Sequence, residues 1–453
     1  MEGAKMTDRA RAIYALSVLF AINTMNFFDR QIPGVVGEPI RKELGLSDSQ
    51  LGLIGTAFTL IYAAVGIPLG RLTDRSTRKN ILAIGVFVWS LFTAASGLAR
   101  NFWQLFALRL GVGVGEASCA PAATSLIGDL FQATKRARAL SIFMLGLPVG
   151  IALSYFIGGR IAHAYGWRST FYVALLPGLI CAALSLLMQE PARGAAESHQ
   201  IGELKRQGSP YALVLSIPTM WWVILSGALH NFNMYAIGSF LSPFLMRFHQ
   251  MNIREAGDVS TIVFGLSGIP GLIVGGILGD AVMKRRSNGR LLVAAFSLMA
   301  SVPLVFLALR APRGSVFLFT LLMSLGCAVM YVYYATVYST IQDVIEPSLR
   351  GTAMALYFFA MYLLGASFGP VATGALSDYF TERAAMAAGV FDKAQAALEP
   401  FRAQGLHSAM HVIPALGILL TFILFAGSRT VTKDMEKLQS WMREAARAQA
   451  PTS

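Results

Sequence analysis

Charge is scarce in this chain: Asp, Glu, Lys and Arg make up 13% of its 453 residues, against about a quarter in soluble domains. That shortage excludes an ordinary water-soluble enzyme or binding module. Cysteine is nearly absent as well. The three present, Cys119, Cys181 and Cys327, all fall in apolar stretches, which excludes a disulfide framework or thiolate metal site and leaves small packing residues. No metal-ligand spacing, nucleophile elbow or phosphate loop occurs, so neither an enzyme nor a metal or cofactor is expected. The chain lacks an Asn-x-Ser/Thr sequon. It also lacks a short apolar core followed by a small-residue cleavage site, so no cleaved signal peptide is expected.

What is abundant is apolar residues, 55% of the chain, with a mean hydropathy of +0.57. They are gathered into runs long enough to cross a ~30 Å hydrocarbon core, which takes about 20 helical residues. About twelve such runs follow one another, at 12–38, 49–73, 79–99, 103–131, 136–163, 168–189, 217–248, 255–282, 289–309, 314–345, 350–381 and 406–428. Barrel strands would alternate over about ten residues between turn signals, so the expected class is an all-α membrane protein with 12 transmembrane helices. A net charge of +13 raises the question of nucleic acid. Yet the Lys and Arg sort by side: Arg71 to Lys79, Lys135 to Arg138, Lys284 to Arg290 and Arg429 to Arg447 share the side of the two chain ends. The opposite side carries about half as many, so both termini are expected in the cytoplasm, with the basic residues facing lipid head groups and no nucleic-acid partner. A bacterial inner membrane, spanned many times, is the simplest address, and a monomer the simplest state.

The polar stretch 190–216 divides the spans six and six. The expected organisation is therefore an N-terminal six-helix bundle (1–189), a cytoplasmic linker (190–216), a second six-helix bundle (217–428) and a basic cytoplasmic tail (429–453). The halves repeat: GRLTDRSTRK, Gly70 to Lys79, leaves the second span as GILGDAVMKR, Gly276 to Arg285, leaves the eighth. One offset carries Asp74 onto Asp280 and Phe58 onto Phe264. Parallel repeats are a transporter architecture with a site near the midplane. The loop motif, with RLGVGVGEA (Arg109 to Ala117) on the fourth span, resembles the signatures of the major facilitator superfamily. That resemblance implies a latch in which Gly70, Asp74, Arg75 and Arg78 meet Asp129 at the end of the fourth helix, breaking and re-forming as the halves rock. Snorkelling surface charge is the alternative for the charges, and helix packing through small residues for the glycines.

A few ionisable residues lie well inside spans: Asp29, Arg30, Arg109, Glu116 and, near a helix end, His230. Each costs at least ~2.5 kcal/mol in the middle of a lipid-facing helix, so they must face protein or a water-filled cavity. Asn23, Asn26 and Arg30 stand at i, i+3 and i+7, one polar stripe on the first helix, and Arg109 and Glu116 share a face of the fourth. The superfamily fold makes these helices neighbours, bringing Asp29 or Arg30 within reach of Arg109 and Glu116. A carboxylate moved between dry surroundings and an Arg neighbour binds and releases a proton. Asp29 is the first choice for that role and Glu116 the second, while Arg30 suits an anionic head group. A permanent buried ion pair is the alternative for Arg109 and Glu116.

The second half offers aromatics instead. Tyr331, Tyr334 and Tyr338 lie along the tenth span, with Tyr357 and Tyr362 on the eleventh. Such stripes are more often packing than ligand wall, but a cavity charged on one side and aromatic on the other suits an amphiphilic anion. The first-helix run from Asn26 to Arg30, with the Gly-x-Gly-Glu of Gly113 to Glu116, resembles the spinster branch of the superfamily. It implies proton-coupled transport, with the proton gradient in place of a cofactor, of a lysophospholipid or sphingosine-phosphate-like lipid. Asp29 and Glu116 would couple the proton; Asn26, Arg30, Arg109 and the five tyrosines would bind substrate. An organic-anion symporter, a multidrug exporter and a transporter-like sensor remain as alternatives.

Overall fold

The computed structural model describes residues 8–192, 209–346 and 349–449; it is built of helices joined by short turns, with no strand among the described residues. The long helices follow the apolar runs. They are α1 (Asp8–Val35), α2 (Asp48–Arg75), α3 (Arg78–Ser96), α4 in two pieces (Phe102–Glu116 and Cys119–Leu130), α5 in two pieces (Ala133–Met144 and Gly146–Tyr165) and α6 (Trp167–Leu186). After the connection come α7 (Pro218–Phe248), α8 (Ile253–Met283), α9 (Gly289–Leu309), α10 (Val316–Val344), α11 (Arg350–Ala387) and α12 (Val412–Gln449).

Among the described residues eleven helices are long and apolar enough to cross a membrane. The α7 helix spans 31 residues but is diluted at its centre by His230, Asn231 and Asn233. The first helix ends earlier than the expected 38: the chain breaks at Val36 and restarts as the short helix Gly37–Leu44. Of the linker, 193–208 lies outside the described residues.

Local chemistry sets several boundaries. Ser47 and Gln50 form a reciprocal capping box at the start of α2, as do Asn252 and Glu255 at the start of α8. Gly166, at φ +83°, turns the chain between α5 and α6. Two helices contain a π-helical turn, Thr261–Leu266 in α8 and Met361–Ala366 in α11.

By contacts the chain forms two compact units. The first gathers α1 to α6 with Ile237–Leu266 and Pro370–Ala409; the second gathers α7 up to Ala236, Ser267–Gly369 and the chain from Met410 on. The boundaries therefore fall inside α7, α8 and α11, in α8 at the end of its π turn. A π turn leaves one peptide out of the regular ladder, a weak point in the helix. Within the first unit, α1 packs on α5 and α6, and α3 packs on α4 and α6. Without lipid-driven hydrophobic association, such packing depends on close backbone approach. A Cβ added at Gly150 of α5 would stand 2.3 Å from the carbonyl oxygen of Thr24 on α1. In the second unit, α9 packs between α10 and α12.

Candidate functional site

The polar stripe of α1 turns inward in the first unit. Asn23 donates to the carbonyl of Phe143 at 2.8 Å, fastening α1 to α5. One and two turns on, Arg30 donates through Nη2 to Asn26 Oδ1 at 3.0 Å and, through Nη2 and Nε, to Glu116 Oε2 at 3.1 and 3.3 Å. Its guanidinium also lies 4.6 to 5.0 Å from the ring centres of Phe58, Phe27 and Tyr62. Three rings and a carboxylate thus replace the water this cation has lost.

Glu116 ends the first piece of α4, and Arg109 lies on the same face two turns back, its guanidinium 5.6 Å from the Phe58 ring. Asp29, Glu116 and Arg109 are each at most 1% exposed. Asp29 lies within electrostatic reach of Glu116 and Arg109, and no hydrogen bond of ordinary length meets either of its carboxyl oxygens. One cluster therefore unites Asn26, Asp29, Arg30, Arg109 and Glu116, and its formal charges balance.

The tyrosines gather in the second unit. The Tyr338 ring centre lies 5.7 Å from that of Tyr334, 5.6 Å from Tyr357 and 5.5 Å from Phe358, all edge-on. Tyr362 meets Tyr235 at 6.3 Å. Tyr331 is almost wholly buried against Gly268 and Gly271 of α8, where an added Cβ would clash with it. Beneath this wall His230 stacks on Tyr333 at 4.0 Å, the hydroxyl of Tyr333 meets those of Ser226 and Tyr357 at 2.8 and 3.2 Å, and Tyr334 donates to Asn231 at 3.3 Å. Ser226 and His230 stand one turn apart on α7, with Asn231 next to His230. That spacing was the available signal for this second layer.

At the loop motif, Arg78 pairs with Asp129, donates to Ser125 Oγ at 3.0 Å and reaches Glu190 at 2.7 Å. Glu190 also accepts from the backbone N–H groups of Arg78 and Lys79, at 3.3 and 3.0 Å. It supplies the cap that Thr77, the N-cap residue of α3, does not. The side chains of Asp74 and Arg75 lie outside the described residues, and Gly70 has open space where a Cβ would go. The repeat is visible here as chemistry. In the second unit Arg290 pairs with Asp343 at the end of α10 and with Asp280 at 2.7 Å, as Arg78 does with Asp129 at the end of α4.

At the opposite helix ends of the first unit lies a cluster that the sequence reading did not find. Arg247 forks onto both oxygens of Asp48 at 2.8 Å and reaches Glu38 at 2.7 Å. Arg41 binds Glu38 at 2.8 Å and Glu399 at 2.7 Å. Asp378 accepts the amides of Asp48 and Ser49 at 3.0 and 2.8 Å, capping α2, while Arg402 donates to Asp378 at 3.1 Å. Backbones meet here too: a Cβ at Gly374 of α11 would stand 2.2 Å from the carbonyl oxygen of Asp48. This clasp ties the ends of α1 and α2 to the ends of α7 and α11.

The family model for the Major Facilitator Superfamily matches residues 19–391. The chain belongs to that superfamily. It is 33% identical over 404 residues to protein spinster homolog 1 of Mus musculus, covering 82% of this chain and 74% of that protein. It is 30% identical over 373 residues to an MFS-type efflux pump of Mycolicibacterium smegmatis, covering 82% and 86%. A solved bacterial homolog of the human lysosomal transporter spinster, in an inward-facing and unoccupied conformation, matches with a TM-score of 0.84 at 27% identity, covering 94% of this chain and 98% of that one. The chain is thus a multi-pass, spinster-like transporter of a small molecule and not an enzyme.

In this superfamily member the clasp has its own pH signature. Burial alone would push the Glu38 carboxyl up, but the Arg247 charge and the Arg41 fork outweigh it and bring it down to about 2. A depressed carboxyl contributes stability that is fully present above its unfolded value, about 4.3, and is lost only as pH falls through about 2. Between about pH 5 and 8 the clasp should therefore not loosen. Hydrogen exchange at the Asp48 and Ser49 amides, corrected for intrinsic rates, should show constant protection over that range.

Proposed function

We propose that the chain is a proton-coupled secondary transporter of an amphiphilic anion, a lysophospholipid or sphingosine-phosphate-like lipid, working by alternating access. The observation that carries this reading is the buried fork of Arg30 on Glu116, 3.1 Å long, with Asp29 beside it. While Glu116 is ionised it occupies the fork that an anionic head group needs. Asp29 is the group that carries the transported proton and Glu116 is its partner in the coupling: with Glu116 neutral the Arg30 fork opens to the anion, so proton and anion favour the same state. The tyrosine wall of the second unit suits an apolar body.

The proposed moving bodies are the two six-helix halves, 1–189 and 217–428. The π turns of α8 and α11 serve as bending points and the Arg247 clasp as the outer gate, while the Arg78–Asp129 pair braces α3 against α4 at the cytoplasmic end of the first half. The bias of Lys and Arg supports a bacterial inner membrane with cytoplasmic termini and, with no oligomer signal, a monomer is proposed. A second reading, export of drug-like amphiphiles, is favoured by the efflux pump among the relatives.

In proteoliposomes a fluorescent lysophospholipid should accumulate only when a pH gradient is imposed. Arg30→Ala should weaken its half-saturation at least tenfold, about 1.4 kcal/mol, the scale of one charge-assisted hydrogen bond. Saturable binding without flux would make the protein a sensor, and flux of cationic dyes instead would favour the exporter.

A further inference from the structure

Asp29 is a buried acceptor without a donor, and α3 carries buried donors without acceptors. The indole Nε1 of Trp89 and the hydroxyl of Thr93 have no hydrogen-bond partner, and both side chains are fully buried. They stand one turn apart on one face of α3, and each acts on the Asp29 carboxyl as a hydrogen-bond donor without closing a bond of ordinary length to it. Unmet buried polar groups are costly and rare, and here the unmet groups on α1 and α3 are complementary.

The glycine run of α4 explains why these donors stay in place. A Cβ at Gly115 would lie 2.7 Å from the Trp89 backbone nitrogen and 2.8 Å from its Cβ. The glycine lets α4 press directly against Trp89 and hold it. Asp29 faces this donor pair from α1, the helix that carries the polar stripe. The other titratable or charged groups around it are Arg30 on α1, Arg109, Glu116 and Cys119 on α4, and Cys181 on α6.

We propose that Trp89 and Thr93 are positioning residues, a neutral cradle that receives the Asp29 carboxylate after its proton has left. The O–H bond of the acid breaks, the proton passes to water on the open side, and the carboxylate accepts the Trp89 N–H and the Thr93 O–H. A small displacement of α1 against α3 then accompanies each deprotonation. Both donors are uncharged, so they hold the carboxylate without drawing Arg30 away from Glu116 and Asn26. This rests on the reading that Asp29 carries a proton.

The test is infrared titration of the purified full-length protein in lipid, using the carboxyl C=O band that Asp29→Asn removes. Thr93→Val and Trp89→Phe should each move the midpoint of that band by about one pH unit toward alkaline, the scale of one hydrogen bond to a charged group. Thr93→Ser, which keeps the hydroxyl, should leave it in place. A band that titrates with the same midpoint in all four proteins overturns the cradle while leaving Asp29 as the proton carrier. A band that does not titrate between about pH 5 and 9 overturns the carrier reading, and the cradle with it.

Discussion

Asp29→Asn should abolish proton-driven accumulation while substrate exchange between two equally filled compartments continues. The reason is thermodynamic. One pH unit is worth about 1.4 kcal/mol, so each coupled proton can raise the substrate ratio across the membrane about tenfold. An amide cannot carry the proton, and the ratio should fall to about one. Exchange needs only that the binding site face each side in turn, and the amide preserves shape and burial at a position that is 0% exposed. Counterflow and gradient-driven uptake, measured on the same vesicles, separate these outcomes. Equal accumulation by the wild type and the variant would remove Asp29 from coupling. Glu116→Gln should behave differently: it empties the Arg30 fork permanently, so substrate affinity should rise and lose its pH dependence.

Arg247→Ala should open the clasp. The arginine is 5% exposed and binds two carboxylates, Glu38 and Asp48, that are 1% and 0% exposed. Removing it leaves Glu38 with Arg41 and Asp48 with Arg402 and Ser377, so each buried carboxylate loses a charge partner, at a combined cost of about 3 to 5 kcal/mol. The closed arrangement should therefore lose about two to three and a half orders of magnitude in population relative to any state in which those carboxylates meet water. A cysteine placed at Thr373, fully buried and adjacent to Gly374 on α11, reports this directly. Its alkylation in liposomes should accelerate by about that factor with Arg247→Ala, and return part of the way when Glu38→Gln and Asp48→Asn are added. The native Cys119, Cys181 and Cys327 are buried and provide an internal background. An unchanged rate would show that the arginine is a packing element and not the keystone of a gate. The same gate should ignore mild acid, because Glu38 protonates only near about 2. Acid sensitivity of transport between pH 5 and 8 would then belong to the Asp29 cluster.

Much of the fold could be read from residue order because the bilayer makes it a local property. A run of about 20 apolar residues must be a helix, since no other single segment satisfies its own backbone in lipid. That argument placed the long helices to within a few residues, except where the chain kinks at Val36 and where α12 continues as one helix past 428. Charges inside such runs are equally legible, because each must find protein or water. Asp29, Arg30, Arg109 and Glu116 could be named as one group from their spacing together with the helix neighbours that the superfamily resemblance implies, and in the structure they form one cluster.

Only the tertiary structure decided the rest. Glu190 caps α3 from 112 residues away, and Glu399 reaches Arg41 across 358. Neither distance leaves a periodic trace in sequence. Glu38, Asp48, Arg247, Asp378 and Arg402 each stand at the end of an apolar run, where a charge is unremarkable, and become a clasp only because Gly374 lets two backbones approach. The absence of a partner for Asp29, and of acceptors for Trp89 and Thr93, is a fact about three-dimensional neighbours. Hydropathy and period determine which residues leave water; what each of them meets there is determined by packing between segments far apart in the chain.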